Sequence, residues 1–414
     1  MTETVEETPP LPPATASAPI VLVEDKASFR HALDGLLEGS GPLALDAERA
    51  SGFRYSSRAY LVQAHREGTP NYLIDPIGVG ALDDITHELS ELEWIIHAAH
   101  QDLPCLREAG VHPVTLFDTE LGARLAGLPR VGLQGVMEDV LGLSLAKEHS
   151  AADWSTRPLP EPWLNYAALD VEYLPQVRDE IHRILSEQGK WDLAAEEFQA
   201  QLSLAATPPR TEPWRRLSGL HQIRGPHKLA IARELWEARE SHAEATDTAP
   251  GRLVPDRALV AAVLADPATK RDLASLKSFN GRASRSELDR WWEAIERGRT
   301  TEDLPESRSP SEGPPPPRIW SEKNPVAWAR LSAAKEELTR LSEERSIPSE
   351  NLLTPDFLRR LCWDAPEDIS PTGIRQALLD RGARVWQVDI VSDALSRVFV
   401  EANQPEGTSS PSDS

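Results

Sequence analysis

The sequence predicts an α/β domain, a mixed sheet flanked by helices, followed by two small all-α modules. Up to residue 205, short apolar runs such as IVLV, YLVQA and YLID alternate with helical stretches. Beyond residue 209 the apolar positions recur at helical spacing, with polar turns and few β-branched runs. At 414 residues the chain is too long for one ordinary core, so several units joined by linkers are expected.

In chain order, residues 1–19 are a Pro, Thr and Ala rich tail, expected to be disordered and too polar to pack. The first domain occupies 20–205. IVLV at 20–23 is its first strand and 28–37 a helical stretch; the apolar strand PLALD then ends at Asp46, and YLVQA and YLID form a hairpin. WIIHA at 94–98 is a further strand, followed by a short helix that Gly110 ends and by more helices. A weak break, ATPPRTEP, precedes the first helical module at 209–300. A proline-rich linker at 303–318, stiffened where prolines 314–317 favour an extended polyproline conformation, leads to the second module at 324–402. Residues 403–414, rich in Ser and Pro, form a second disordered tail.

Composition narrows the function classes. The net charge of −22 runs against a simple phosphate-binding protein, but the charge is uneven. Residues 20–205 carry 14 Lys and Arg against 30 Asp and Glu, whereas 209–300 carry 17 against 13. A metal-dependent catalytic unit beside a mildly basic accessory unit has this profile. Only Cys105 and Cys362 occur, in separate units, so neither a disulfide framework nor a thiolate zinc site is expected. The acidic, proline-rich start lacks a secretory pattern, and no apolar run is long enough for a membrane helix. A cytoplasmic protein that does not engage membranes is the expectation. No G-x-x-x-x-G-K-[ST] loop is present, which argues against ATP use.

The chemistry lies in four acidic residues and a tyrosine. Asp46 and Glu48 sit two apart on a buried strand, so their side chains point the same way and can share a cation. Asp102 stands at the entry to a helix with Pro104 in its first turn, a position that equally suits an N-cap. Tyr166 and Asp170, four apart in PWLNYAALDVEYL, share a helix face with Trp163. A carboxylate on that partly apolar face is costly unless charge-compensated, and a metal would compensate it. Each element alone has an ordinary explanation. His97 and His100 have no further ligand placed to complete a tetrahedral zinc set, and His149 with Ser150 lacks a nucleophile turn. Adjacent Trp291 and Trp292 cannot share one helix face, so at least one is core.

Four carboxylates and a tyrosine in this order resemble the DEDD superfamily of exonucleases, tyrosine branch. The motifs are Leu45-Asp46-Ala47-Glu48, His97-Ala98-Ala99-His100-Gln101-Asp102-Leu103 and Tyr166-Ala167-Ala168-Leu169-Asp170. DWSTRPL at 153–159 and Phe117-Asp118-Thr119 further resemble ribonuclease D. ARELWEARE with the following Gly251-Arg252-Leu253-Val254-Pro255-Asp256 is similar to an HRDC domain, and 324–402 looks like a diverged second copy. Arg49 departs from the family, which often has an aromatic or apolar residue after the first acidic pair.

The resemblance implies a ribonuclease H-like exonuclease domain followed by two HRDC-like domains. It implies two divalent cations, Mg²⁺ or Mn²⁺, held by Asp46, Glu48, Asp102 and Asp170, with Asp46 bridging both and Tyr166 orienting the attacking water. Two such cations would activate the water and stabilise charge on the attacking and leaving oxygens. The implied activity is 3′-5′ hydrolysis of RNA with a free 3′ end to nucleoside monophosphates, in trimming of tRNA or other structured precursors. Arg54, Tyr55, Arg58 and Arg157 are candidate contacts to phosphates or terminal bases. The competing readings are an exonuclease acting on single-stranded DNA in repair and a non-catalytic RNA-binding scaffold.

Overall fold

The structure is a computed structural model that describes residues 11–145, 149, 151–203, 211–307 and 313–403. Ser150, most of the break at 206–213, the middle of the proline-rich linker and the outer parts of both tails lie outside the described residues.

The first domain is built on a mixed sheet of β1 (Ile20–Val23), β2 (Ser40–Arg49), β3 (Ala59–Glu67), β4 (Asn71–Ile74), β5 (Glu93–Ile96) and β6 (Thr115–Asp118). Their order is β1-β4-β3-β2-β5-β6. The expected hairpin is present, β3 pairing antiparallel with β4, while β2 runs antiparallel to β3 and parallel to β5. β2 continues to Arg49 instead of ending at Asp46, because β3 supplies partners for Asp46, Ala47, Glu48 and Arg49. Central strands flanked on both faces are apolar, and Leu43, Ala44 and Leu45 are fully buried. Helices Lys26–Glu38, Glu161–Glu172 and Leu174–Glu187 are among those that flank the sheet.

The helical regions attach in two different ways. The core of the C-terminal region is continuous with that of the first domain: Phe117, Ile181 and Phe198 pack in one apolar cluster with Leu331, Leu338, Trp386 and Phe399. Polar contacts reinforce this seam, since Trp386 Nε1 donates to Glu197 Oε1 (2.9 Å) and Lys190 Nζ reaches the carbonyls of Leu125 and Ser346. The middle region has its own core around Trp214, Leu235, Phe279 and Trp291. Trp291 is fully buried, whereas Trp292 stacks under Arg299, as an adjacent pair on one helix requires.

Residues 11–19 correct the expectation of a disordered tail. The backbone N–H groups of Ser17 and Ala18 donate to Glu172 Oε1 at 2.7 and 3.1 Å, and Ala14 and Ser144 pair through their backbones. Such a segment needs no core of its own, because a buried carboxylate satisfies its backbone donors. Both flanks of the proline-rich linker are docked too, Asp303 on Arg233 and the Pro315 carbonyl on Trp320 Nε1. No helix of the described residues is long and apolar enough to cross a membrane.

Helices Pro226–Ala245 and Leu288–Thr300 cross at Gly298, where a Cβ would stand 2.5 Å from Ile231 Cα. Gly298→Ala is therefore expected to destabilise this region by about 1–3 kcal/mol. Hydrogen exchange should quicken in Pro226–Ala245 and stay unchanged in β2; equal protection in wild type and variant would contradict the close crossing.

Candidate active site

β2 carries Asp46 and Glu48 into the middle of the sheet, on one face by strand alternation. The helix Glu161–Glu172 lies across that region and brings Asp170 to them. Carboxylate oxygens of Asp46, Glu48 and Asp170 all lie within 4.8 Å of one another. Tyr166, one turn before Asp170, sets its phenol beside the Asp170 carboxylate. The ring packs near Trp154 and His149, at centroid distances of 6.3 and 6.1 Å.

Asp102 occupies the N-cap position of the helix Leu103–Glu108, yet its side chain makes no capping hydrogen bond. The carboxylate turns instead toward Asp46, which it neighbours closely enough to interact with it, and toward Arg49, whose Nη2 is 3.7 Å away. Asp102 thus stands beside the trio and not within it. Its position depends on Asp118, a fully buried carboxylate at the end of β6. Asp118 accepts from the backbone N–H groups of Ala98, Ala99, Glu120 and Leu121 and from Gln201 Nε2. Those bonds hold Ala98 at φ +56, a left-handed conformation unusual for a residue with a Cβ, and so fix the turn leading to Asp102.

Burial dominates the electrostatics. It pushes Glu48 up to about 10, helped by repulsion from Asp46, Asp170 and Asp102, and Asp102 up to about 8, helped by Asp46. Asp46 rises to about 6 by burial, opposed by the Ala47 N–H and by Arg49. Asp170 is held well above the usual carboxylate range by burial and Asp46. The cluster offers only oxygen donors crowded in a low-dielectric setting, which suits a hard divalent cation. Burial and the same carboxylates push the Tyr166 phenol upward, so it stays protonated.

The expected nucleic-acid contacts divide. Arg157 is occupied internally: it grips Asp75 through two bonds of 2.6 and 2.7 Å and donates to the carbonyls of Tyr60 and Trp154. This arginine braces the segment beneath Tyr166 and has no donor left for a phosphate. Arg54 donates to Ser155 Oγ, and Arg58 lies over the Tyr60 ring beside Asp247. Tyr55 is exposed. His97 bonds Thr119 Oγ1, is pushed down to about 4 by burial, and is not among the residues that form the carboxylate cluster. Sequence reasoning did not single out Gln63, whose Nε2 is 3.3 Å from Asp46 Oδ2, or the register irregularity between Glu48 and Arg49.

The raised carboxylates dictate a pH dependence. In the metal-free protein they keep protons that the unfolded chain, with carboxylates near pKa 4, releases. The folded state then binds more protons, so stability falls as pH rises from about 4 through the raised values. Thermal unfolding in EDTA is expected to show a declining midpoint between about pH 5 and pH 8. Glu48→Gln should flatten that decline, and a divalent cation should reverse it in wild type; parallel profiles for wild type and Glu48→Gln in EDTA would refute the raised proton affinity of Glu48.

Comparison with known proteins agrees with this geometry. The family model described as 3'-5' exonuclease matches residues 20–186, the HRDC domain model residues 228–295, and the model described as 3' to 5' exonuclease C-terminal domain residues 313–399. Ribonuclease D of Pseudomonas paraeruginosa is 31% identical over 278 residues, covering 66% of this chain and 73% of that protein. A crystal structure of a protein from Bifidobacterium adolescentis superposes with a TM-score of 0.85 at 35% identity, covering 95% of this chain and all of the other. The fold is also that of Escherichia coli RNase D, with a TM-score of 0.66 at 23% identity over 92% of this chain and 99% of that one. With its buried carboxylate cluster and these relatives, the chain belongs to the ribonuclease D family of 3′-5′ exoribonucleases, which use divalent metal.

Proposed function

We propose that this exoribonuclease holds two divalent cations, Mg²⁺ or Mn²⁺, on Asp46, Glu48, Asp102 and Asp170. With them it releases nucleoside monophosphates from RNA with a free 3′ end, tRNA and other structured precursors foremost. The observation that carries the reading is the gathering of Asp46, Glu48 and Asp170 oxygens within 4.8 Å, in a setting too buried to tolerate their charges alone. When bound, the cations supply Lewis acidity to the attacking water and neutralise charge on the phosphate oxygens. The protein's own groups orient and exclude. Tyr166, kept protonated by burial and the neighbouring carboxylates, positions a water by hydrogen bond and does not act as its base. A cavity of about 200 Å³ beside Glu48, lined by Arg49, Ser51, Gly52, Phe53 and Ala152, offers a seat for the terminal nucleotide. The mildly basic residues 209–300 suit the RNA body. Both cysteines are buried and unpaired, which supports a reducing, cytoplasmic setting.

The direct test incubates a tRNA precursor bearing a 3′ extension, and a matched single-stranded DNA, with Mg²⁺, Mn²⁺ or EDTA. Mononucleotides are expected from the RNA with metal and not with EDTA; intact RNA under every condition would sink the proposal, and faster DNA loss would redirect it. Asp46→Asn is expected to abolish turnover while the fold persists. Tyr166→Phe should lower kcat about 100-fold with little change in KM.

A further inference from the structure

We propose that Arg49 is a substrate-phosphate ligand of this site, held in reserve on Asp102 until a phosphodiester oxygen is presented to it. The inference rests on the exoribonuclease reading above and adds to it a residue at which this chain departs from its family's pattern.

In a regular strand, Arg49 would point away from the face that carries Glu48. The register changes between them: Glu48 pairs with Leu61 but Arg49 with Ala59, so Tyr60 is an extra residue on β3. Such an irregularity re-aims side chains, and here the Arg49 guanidinium comes round to 3.7 Å from Asp102 Oδ1. That distance is an ion pair and too long for a hydrogen bond. Among the described residues the guanidinium makes no hydrogen bond, so all five of its donors remain available. Its side chain is 31% exposed and lines the cavity beside Glu48 that also holds Ser51 and Phe53.

The neighbouring arginines face other partners: Arg157 bonds Asp75 and backbone carbonyls, Arg54 bonds Ser155 through Nε, and Arg58 lies over the Tyr60 ring, 3.9 Å from Asp247. A phosphodiester approaching four carboxylates meets repulsion, and Arg49 is the side chain whose charge acts on Asp46, Glu48 and Asp102 alike. A planar guanidinium matches two phosphate oxygens as well as it matches a carboxylate. Its contact with Asp102 is loose, so exchanging one anion for the other breaks no hydrogen bond. The same contact makes Arg49 a competitor of any divalent cation for the Asp102 carboxylate.

Two measurements on the intact chain test this. Binding of a fluorescent single-stranded oligoribonucleotide is followed against salt at fixed Ca²⁺, for wild type, Arg49→Met and Arg49→Lys. Separately, Mn²⁺ is titrated calorimetrically into the RNA-free proteins. Arg49→Met is expected to bind RNA more weakly, with a log–log salt slope shallower by about 0.7, the value for one lost phosphate contact on a single strand. Arg49→Lys should keep the wild-type slope, which shows that the change follows charge and not misfolding. Mn²⁺ should bind Arg49→Met several-fold more tightly than wild type. An unchanged salt slope in Arg49→Met overturns the phosphate contact, and unchanged Mn²⁺ affinity overturns the competition at Asp102. Either result leaves the exoribonuclease reading standing, since that reading is judged by mononucleotide release from wild-type protein.

Discussion

The burial of four carboxylates in one low-dielectric volume, sharpened by their mutual repulsion, is the constraint around which this site is organised. Isolated, each buried charge would cost several kcal/mol. The fold tolerates the cluster by protonation and by nearby partners: Gln63 and the Ala47 N–H at Asp46, the phenol at Asp170 and, more loosely, Arg49 at Asp102. The scaffold has to be rigid for the same reason, since charges that could drift apart would. Asp46 and Glu48 are therefore on a strand hydrogen-bonded on both sides, and Asp170 on a helix packed across it. Asp118 does for the turn before Asp102 what the sheet does for β2, replacing a ladder with five hydrogen bonds to one carboxylate.

The flanking regions relate to this centre through different physics. The C-terminal helices share the apolar core of the first domain, in one cluster with Phe117, Ile181 and Phe198. The middle region keeps its own core and touches the first domain through polar groups at its turn. Asp247 accepts from the Ser56 N–H and the Tyr60 hydroxyl, Ala249 donates to the Phe53 carbonyl, and Arg252 covers the Phe53 ring at 3.8 Å. Contacts of that kind open at lower cost than a shared core. They fall on and next to the loop that follows Glu48, so any motion of the middle region is felt at the wall of the cavity beside Glu48.

How much of this was legible in the sequence depended on the range of the interactions. Strand alternation joined Asp46 to Glu48, and the four-residue helical repeat joined Tyr166 to Asp170, because both relations are local. Asp102 reads equally as cap or ligand; that its side chain makes no cap follows from Asp46 and Arg49, which reach it from β2. Arg157 was expected at the RNA because its segment resembles a family motif, but its partner Asp75 lies 82 residues away and no local pattern reports it. The aim of Arg49 was invisible for a related reason: the extra residue that redirects it is on β3, the partner strand. Residues 11–19 read as too polar to pack, since hydropathy cannot register a carboxylate that satisfies backbone donors.

That docked arm has a practical bearing on how the protein is handled. Glu172 receives Ser17 and Ala18 with one oxygen and Asn71 with the other, and it lies two residues beyond Asp170 on the same helix. The leading segment is thus a strap across the C-terminal end of the helix that carries Tyr166 and Asp170. Trimming the chain back to the first strand, as a boundary drawn at the family match would suggest, leaves a buried glutamate short of three of its donors. A shortened protein cut at residue 20 would be an altered enzyme, whereas one cut at residue 11 keeps the strap.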